Sequence, residues 1–145
     1  MFLNHYHHSF DDKGRLTIPA KFREMPDEGL FVVQGLDRNL MVLPPPIFEK
    51  LYKHLVEMNL TDPAARQLRQ YMFSNAQQVF PDGSGRILIP QNLRTLAELK
   101  DEVVFVGQGD HYDIWAEEHW LKQQALLNDP ETNAQRYTAL DLSLR

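Results

Sequence analysis

Alternating and helix-spaced apolar positions divide the chain into short strands and a few helices. Mostly apolar runs predict strands at RLTI (15–18), LFVVQG (30–35), NLMVLP (39–44), RILI (86–89), VVFVGQG (103–109) and DIWA (113–116). Between the two sets, helix-spaced apolar residues from Ile47 to Met58 and a second stretch begun by Asp62-Pro63 predict a helical hairpin. A helix is predicted over 117–127, and residues 130–145 form either a last short helix or a loose tail.

One short motif occurs twice in the sequence. DDKGRLTIPAKFR (11–23) and DGSGRILIPQNLR (82–94) align at an offset of 71 residues, sharing Asp, Gly-Arg, Ile-Pro and a closing Arg. Further on, FVVQG (31–35) matches FVGQG (105–109) at an offset of 74, which predicts three extra residues in the second copy. The repeat indicates that one supersecondary unit is used twice.

Glycine and proline delimit the short strand in each copy. Gly14 and Gly85 supply the positive φ of a tight hairpin turn before RLTI and RILI. Pro19 and Pro90 end those strands because proline has no N–H to donate, and its fixed φ suits the start of a short helix, PAKFRE or PQNLRTLAEL.

These elements predict a mainly β fold with peripheral α-helices. A unit of about 40 residues is too small to bury its own faces, so we expect two β-α-β repeats packed against each other about a pseudo-two-fold. The predicted division is repeat 1 at 5–47, a bridging helical hairpin at 48–75, repeat 2 at 76–118, and a C-terminal helix and tail at 119–145.

Composition limits the classes of function. The chain has 145 residues, a net charge of -5 and no cysteine, which excludes disulfides and thiolate metal sites. Net negative charge argues against coating nucleic acid by a bulk positive field. Residues 1–23 nevertheless carry a local +2, leaving -7 for the remainder. No signal peptide or membrane span is evident, so a cytoplasmic protein is expected.

Strand alternation makes Arg15 the candidate chemical group of the first copy. It places Arg15 outward with Thr17, while the apolar residues between and after them point inward. The planar guanidinium can contact a phosphate or a guanine edge in two places, with Asp11 orienting it. Alternatively, Asp11 and Arg15 form only a local ion pair, worth under about 1 kcal/mol. In the second copy Leu88 replaces Thr17, making that face less polar.

The doubled motif resembles that of a known family. Asp-x-x-x-Arg with Gly-Arg and Ile-Pro resembles the SpoVT-AbrB DNA-binding motif, and two copies in a chain of this length resemble the MraZ transcriptional regulators over about residues 1–127. The resemblance implies tandem AbrB-like repeats of the swapped-hairpin type. It also implies a cytoplasmic, nucleoid-associated repressor of the division and cell-wall gene cluster, including its own promoter. Such a regulator would bind spaced short repeats of double-stranded DNA as a ring, an octamer or larger, without a cofactor.

The resemblance also implies roles for individual residues. Arg15 and Arg86 are the expected principal DNA contacts. Auxiliary contacts are expected from Lys13, Lys21, Arg23 and Arg94, although a basic residue closing a short helix also suits the helix C-terminus. Asp11, Asp82, Gly14 and Gly85 are expected to orient the motif. With few cations per protomer, useful affinity requires several protomers bound at once.

Two other clusters have weaker functional interpretations. His5, His7 and His8 lack a further ligand for a metal site, so surface or anion-contacting histidines that gain charge below about pH 6.5 are expected. GQGDHYD (107–113) places a histidine beside carboxylates, but it is predicted to be a polar hairpin turn. No nucleophile context is present, so an enzyme is not expected. The rival function is a protein-interaction or scaffold module with the motifs as subunit interfaces.

Overall fold

The computed structural model describes residues 1–143, which form eight strands and five α-helices. The strands are β1 (His5–Ser9), β2 (Arg15–Thr17), β3 (Leu30–Gln34), β4 (Leu40–Leu43), β5 (Gln77–Val79), β6 (Arg86–Leu88), β7 (Glu102–Gly107) and β8 (Tyr112–Ala116). The helices are α1 (Pro45–Val56), α2 (Pro63–Phe73), α3 (Gln91–Leu96), α4 (Glu117–Leu127) and α5 (Pro130–Arg136). The predicted mainly β fold with peripheral helices is confirmed, although PAKFRE forms only a 3₁₀ turn, Ala20–Phe22.

The repeats exchange strands. Six strands form an antiparallel sheet in the order β1-β7-β8-β4-β3-β5, while β2 and β6 form a separate two-stranded ribbon. Each repeat gives its first strand to the other, because β1 pairs with β7 and β5 pairs with β3. The ribbon likewise takes one strand from each repeat. This exchange is the swapped-hairpin arrangement of tandem AbrB-like repeats, and neither repeat completes its sheet alone.

A pseudo-two-fold axis relates the repeats. In the ribbon, Leu16 pairs with Ile87, its own counterpart at an offset of 71. At the middle of the large sheet, Met41 of β4 pairs with Asp113 of β8, its counterpart at an offset of 72. The axis therefore passes through both pairs, as expected for two repeats packed about a two-fold.

The sequence match between FVVQG and FVGQG is one residue out of structural register. Leu30 pairs with Val79, and Val103 pairs with His8, so β3 and β7 correspond at an offset of 103 minus 30, or 73. Repeat 2 therefore has two extra residues between the motif and this strand, and not three. They lie where repeat 2 has the longer α3 in place of the 3₁₀ turn.

The aromatic residues show why the corrected register matters. Phe105 is equivalent to Val32, and both are fully buried in the main core. Phe31, which carries the identical letter, lies on the other face of the sheet and stacks on Phe48 with 4.1 Å between ring centroids. A shift of one residue in a strand moves every side chain to the opposite face.

The sheet is covered differently on its two faces. The ribbon and the short helical segments cover one face with a shared core of both repeats, which includes Leu16, Ile18, Phe22, Ile87, Ile89 and Leu93. Helices α1 and α2 cover the other face over repeat 1, and α4 covers it over repeat 2 with Trp120. The ribbon and the long helices are thus on opposite sides of the molecule.

The helix ends follow their local sequence. Asp62 caps α2 by accepting the Ala64 N–H at 2.9 Å, as predicted, and Asp129 caps α5 in the same way, so residues after 129 begin with a helix. Because α1 begins at Pro45, the predicted division at residue 47 falls inside its first turn. Within residues 1–143, the helices are too short or too polar to cross a bilayer.

Candidate nucleic-acid interface

The first Asp-x-x-x-Arg segment is a turn organised by one carboxylate. Asp11 Oδ1 accepts the backbone N–H groups of Lys13 and Arg15, both at 2.9 Å, and Oδ2 accepts Nε of Arg15 at 2.8 Å. The N–H of Gly14, with φ 75°, donates to the Asp11 carbonyl at 3.1 Å. The carboxylate therefore fixes both the turn and the guanidinium that follows it.

The second turn has the same internal geometry. Asp82 Oδ1 accepts the N–H groups of Ser84 and Arg86, both at 2.9 Å, and Oδ2 accepts Nε of Arg86 at 2.8 Å. Gly85 has φ 76° and donates to the Asp82 carbonyl at 2.9 Å. The motif thus specifies one local structure even though residues inside the turn differ.

These bonds favour the charged form of both carboxylates. The backbone N–H of Arg15 lowers the pKa of Asp11, helped by its guanidinium and the Lys13 N–H and opposed by partial desolvation. The pKa of Asp82 is lowered in the same way, chiefly by the Arg86 N–H. The carboxylates of both turns therefore stay ionised at neutral pH.

The two arginines emerge on one surface of the ribbon. In the β2–β6 register Arg15 lies opposite Leu88 and Thr17 opposite Arg86, so all four side chains share the outer face. Arg15 and Arg86 occupy diagonal positions of the ribbon, for which the two Cα atoms are typically about 7–8 Å apart. Their Nη1 and Nη2 atoms make no hydrogen bond to any residue of 1–143. The Arg15 and Arg86 side chains are 28% and 35% exposed, so each guanidinium is held at Nε and is partly open to solvent on this face. Leu88, also predicted on this face, is 59% exposed.

The predicted auxiliary lysines belong to repeat 1 alone. Lys13 lies exposed in the first turn and Lys21 lies exposed in the 3₁₀ turn. At an offset of 71 their counterparts are Ser84 and Asn92, which carry no charge. The first copy is therefore the more basic side of the ribbon.

The closing arginines lie against the turn of the opposite repeat. Arg94 of repeat 2 places Nη1 2.9 Å from where a Cβ on Gly14 would stand, and its guanidinium lies over the Phe10 ring, 4.0 Å from the centroid. Arg23 of repeat 1 packs on Gly85, its Cζ 2.8 Å from the corresponding Cβ position. Local sequence patterns do not reveal these contacts, because each joins residues about 60 to 80 positions apart.

Among the N-terminal histidines, His7 is exposed as expected, whereas His8 is half-buried. His8 has a lowered pKa, first because of partial burial and then because of the Arg23 charge, so it gains its charge at a lower pH than an ordinary histidine. His5 and His7 face each other at 5.8 Å between ring centroids, and His5 also packs on Trp120. In the described part of the chain no group of three possible ligands could hold a metal ion.

GQGDHYD forms the predicted turn between β7 and β8, and the histidine and carboxylates noted in its sequence form a polar cluster there. His111 contacts Asp110 at 2.8 Å and Asp113 at 3.4 Å, and Asp113 is only 2% exposed. Bonding to Asp113, and then to Asp110, raises the pKa of His111 against the opposing effect of burial. The repeat 1 counterpart of His111 is the uncharged, buried Asn39.

The exchanged strands and the ribbon with two carboxylate-held arginines define a tandem AbrB-like repeat protein. A family model described as "MraZ protein, putative antitoxin-like" matches residues 1–70 and 72–142. The chain belongs to the MraZ family, and the resemblance drawn from its sequence is confirmed.

Curated relatives match all or most of the chain. The chain is 40% identical over 145 residues to a transcriptional regulator MraZ of Roseiflexus sp. (strain RS-1), covering 100% of this chain and 99% of that protein. It is 42% identical over 120 residues to a transcriptional regulator MraZ of Herpetosiphon aurantiacus, covering 83% of this chain and 84% of the relative. The family is one of transcriptional regulators and not of enzymes, so the expectation of a non-enzymatic protein is confirmed.

Proposed function

We propose that this protein is a sequence-specific, DNA-binding transcriptional regulator whose principal DNA contacts are Arg15 and Arg86. The observation that carries the proposal is the state of these two guanidinium groups. Each is held at Nε by an aspartate, while its terminal amino groups have no hydrogen-bond partner among residues 1–143 and its side chain is partly exposed. An arginine oriented in this way loses little further conformational entropy when it binds.

The shape of the ribbon suits duplex DNA. The major groove admits a two-stranded β-ribbon, and arginine contacts guanine O6 and N7 through two N–H groups. Arg15 and Arg86 come from antiparallel strands that the pseudo-two-fold relates. The two arginines would therefore approach a duplex in opposite orientations. Lys13 and Lys21 lie exposed beside the first turn and would add phosphate contacts.

Membership of the family supports the wider proposal. We infer that the protein represses the division and cell-wall gene cluster, its own promoter included, from a position on the nucleoid in the cytoplasm. One protomer offers few cationic contacts on a chain of net charge -5, so one copy should bind weakly. A ring of eight or more copies on spaced DNA repeats would raise affinity through effective concentration. We also propose the domain division predicted from the sequence, with the two repeats at 5–47 and 76–118.

One observation favours the rival function. Leu88 is 59% exposed on the same outer face as the two arginines, and an exposed leucine suits a subunit interface better than a phosphate backbone. In that scaffold alternative, Arg15 and Arg86 pair with carboxylates of another copy. The same leucine is compatible with DNA because apolar side chains contact the thymine methyl group.

Salt dependence separates these functions. Fluorescence anisotropy would measure binding to a duplex with three spaced repeats from upstream of the protein's own gene, at several salt concentrations, with a scrambled duplex as the control. A DNA-binding regulator should prefer the native repeats by at least about tenfold (roughly 1.4 kcal/mol) and weaken log-linearly with salt. Absence of binding to either duplex at low salt would leave the scaffold function.

A further inference from the structure

We propose that Arg23 and Arg94 are positioning residues, each of which holds the Asp-x-x-x-Arg turn of the opposite repeat. Arg94 would fix the position of the Arg15 guanidinium, and Arg23 would fix that of Arg86. The inference rests on the proposed DNA-binding role of Arg15 and Arg86. It assigns the closing arginines a function different from the auxiliary DNA contacts that the sequence predicts.

The Arg94 side chain is inserted beneath the first turn. Its guanidinium covers the ring of Phe10, the residue before Asp11, and Nη1 occupies the space that a side chain at Gly14 would need. Its Nε is buried without a hydrogen-bond partner in the described chain. The planar cation thus contacts the turn at both ends, and its Nε is shielded from solvent.

Arg23 packs against the second turn in the corresponding position, although it is exposed where Arg94 is half-buried. Its Cζ and Cδ lie 2.8 and 2.9 Å from where a Cβ on Gly85 would stand, and Nη2 donates to the Ile18 carbonyl at 3.0 Å. Ile18 in turn donates its N–H to the Gly85 carbonyl at 2.8 Å. Arg23 therefore ties the second turn to the end of the first repeat's ribbon strand.

The crossed arrangement gives both glycines a second role. Gly14 and Gly85 have positive φ values, which already favours glycine, and the absence of a side chain also makes room for the opposite arginine. A guanidinium can stack flat on a ring or a backbone, whereas a lysine ammonium cannot. Lysine should therefore fail to replace either arginine, although it retains the positive charge.

A double-mutant cycle in the anisotropy assay tests the pairing. Arg94→Lys should weaken binding to the three-repeat duplex by about tenfold in wild type and in Arg86→Ala, but have little further effect in Arg15→Ala. Arg23→Lys should show the reverse dependence. Lys21→Gln is the control. It removes an exposed charge from the 3₁₀ turn that directly precedes Arg23, and its effect should be additive with that of every other variant.

A direct phosphate contact would give a different result. Lysine would then preserve most of the affinity, and Arg94→Ala would lower the salt slope by about one in every background, including Arg15→Ala. Either result would overturn the positioning role. If Arg94→Lys lowers the unfolding midpoint too far, Phe10→Leu removes the stacked ring instead and should couple to Arg15 alone.

A measurement without DNA tests the positioning of the two arginines separately from DNA binding. NMR can follow solvent exchange of the Arg15 and Arg86 Nε–H groups, which donate to Asp11 and Asp82. Arg94→Lys should accelerate exchange at Arg15 and leave Arg86 unchanged, and Arg23→Lys should do the opposite. Equal or absent effects at the two sites would refute the crossed positioning, whereas failure of wild type to bind DNA would refute only the regulator proposal.

Discussion

The two Asp-x-x-x-Arg turns are nearly identical inside and different outside. In both, the aspartate accepts two backbone N–H groups at 2.9 Å and the arginine Nε at 2.8 Å. Around them, however, Lys13 of the first turn is replaced by Ser84, and Thr17 on the outer face is replaced by Leu88. The covering also differs, with two helices over repeat 1 and one over repeat 2.

The comparison separates what the motif requires from what it tolerates. Aspartate and glycine are needed because they make the turn, while the positions between them point outward and vary without changing it. A duplicated unit can therefore keep its framework and adjust its surface in one copy. The buried residues on the two-fold axis, in contrast, serve both copies at once.

The largest expected effect is at the centre of the ribbon. Leu16→Ala or Ile87→Ala should each destabilise the protein by about 2–5 kcal/mol, because both side chains are fully buried in the core shared by the repeats. Guanidinium denaturation should show one cooperative transition in each variant. The exposed Leu88→Ala is the control, with an expected change within about 0.5 kcal/mol. Two separate transitions would contradict a shared core.

A second effect should appear in acid. The pKa values of Asp11 and Asp82 are lowered in the folded state, so their stabilisation is present above the ordinary pKa of about 3.9 and is lost as the pH falls through the folded values. Asp11→Asn and Asp82→Asn keep an oxygen for the backbone N–H groups but remove this titration. Unfolding midpoints between pH 5 and pH 2, as a rough range, should fall less in each variant than in wild type. Equal acid sensitivity of wild type and the double variant would exclude this role.

Moving the lysine from the first turn to the second should move its contribution to DNA affinity with it. If both turns approach phosphates, Ser84→Lys should increase affinity for duplex DNA and steepen the log-log salt slope by about 0.9. Lys13→Ser should make a change of similar size in the opposite direction. Anisotropy titrations at several salt concentrations measure both slopes. A change for Lys13 alone would show that only the first turn approaches the backbone.

The smallest effect is expected from the β7–β8 turn. The pKa of His111 is raised by Asp113 and Asp110, so its stabilisation is complete below about pH 6.5 and is lost as the pH rises through the folded value. The loss should be under about 1 kcal/mol, measured by denaturation on either side of that pH. His111→Asn introduces the residue that repeat 1 has here, and it should remove the dependence. An unchanged dependence would assign it to another group.

The sequence predicts most elements of this fold because most strands are short, apolar and bounded by glycine or proline, whereas β1 and β5 are mainly polar. The helical hairpin, α4 and the Asp62 cap follow from the same local rules. The register of β3 against β7 does not, since identical Phe-Val letters favour an offset of 74 over the structural 73. The pairing of the strands and the faces on which Phe31 and Phe105 pack resolve that ambiguity.

Tertiary contacts account for what local pattern could not predict about the site. The outward position of Arg15 and the orienting role of Asp11 follow from alternation and spacing. The crossed packing of Arg23 and Arg94, and the lowered pKa of His8, depend on contacts between distant residues. A single sequence carries no signal of such contacts beyond the repeat itself.

The most direct test of the central claim compares Arg15→Ala, Arg86→Ala and the double variant on the three-repeat duplex and on its scrambled control. Lys50→Ala, which removes an exposed charge from α1 on the opposite side of the sheet, is the matched control. Light scattering on each sample would verify the same assembly. We predict that each arginine variant loses the preference for native repeats of at least about tenfold, while Lys50→Ala retains it. Retention of that preference by the double variant would contradict the assignment of the ribbon arginines as the DNA contacts.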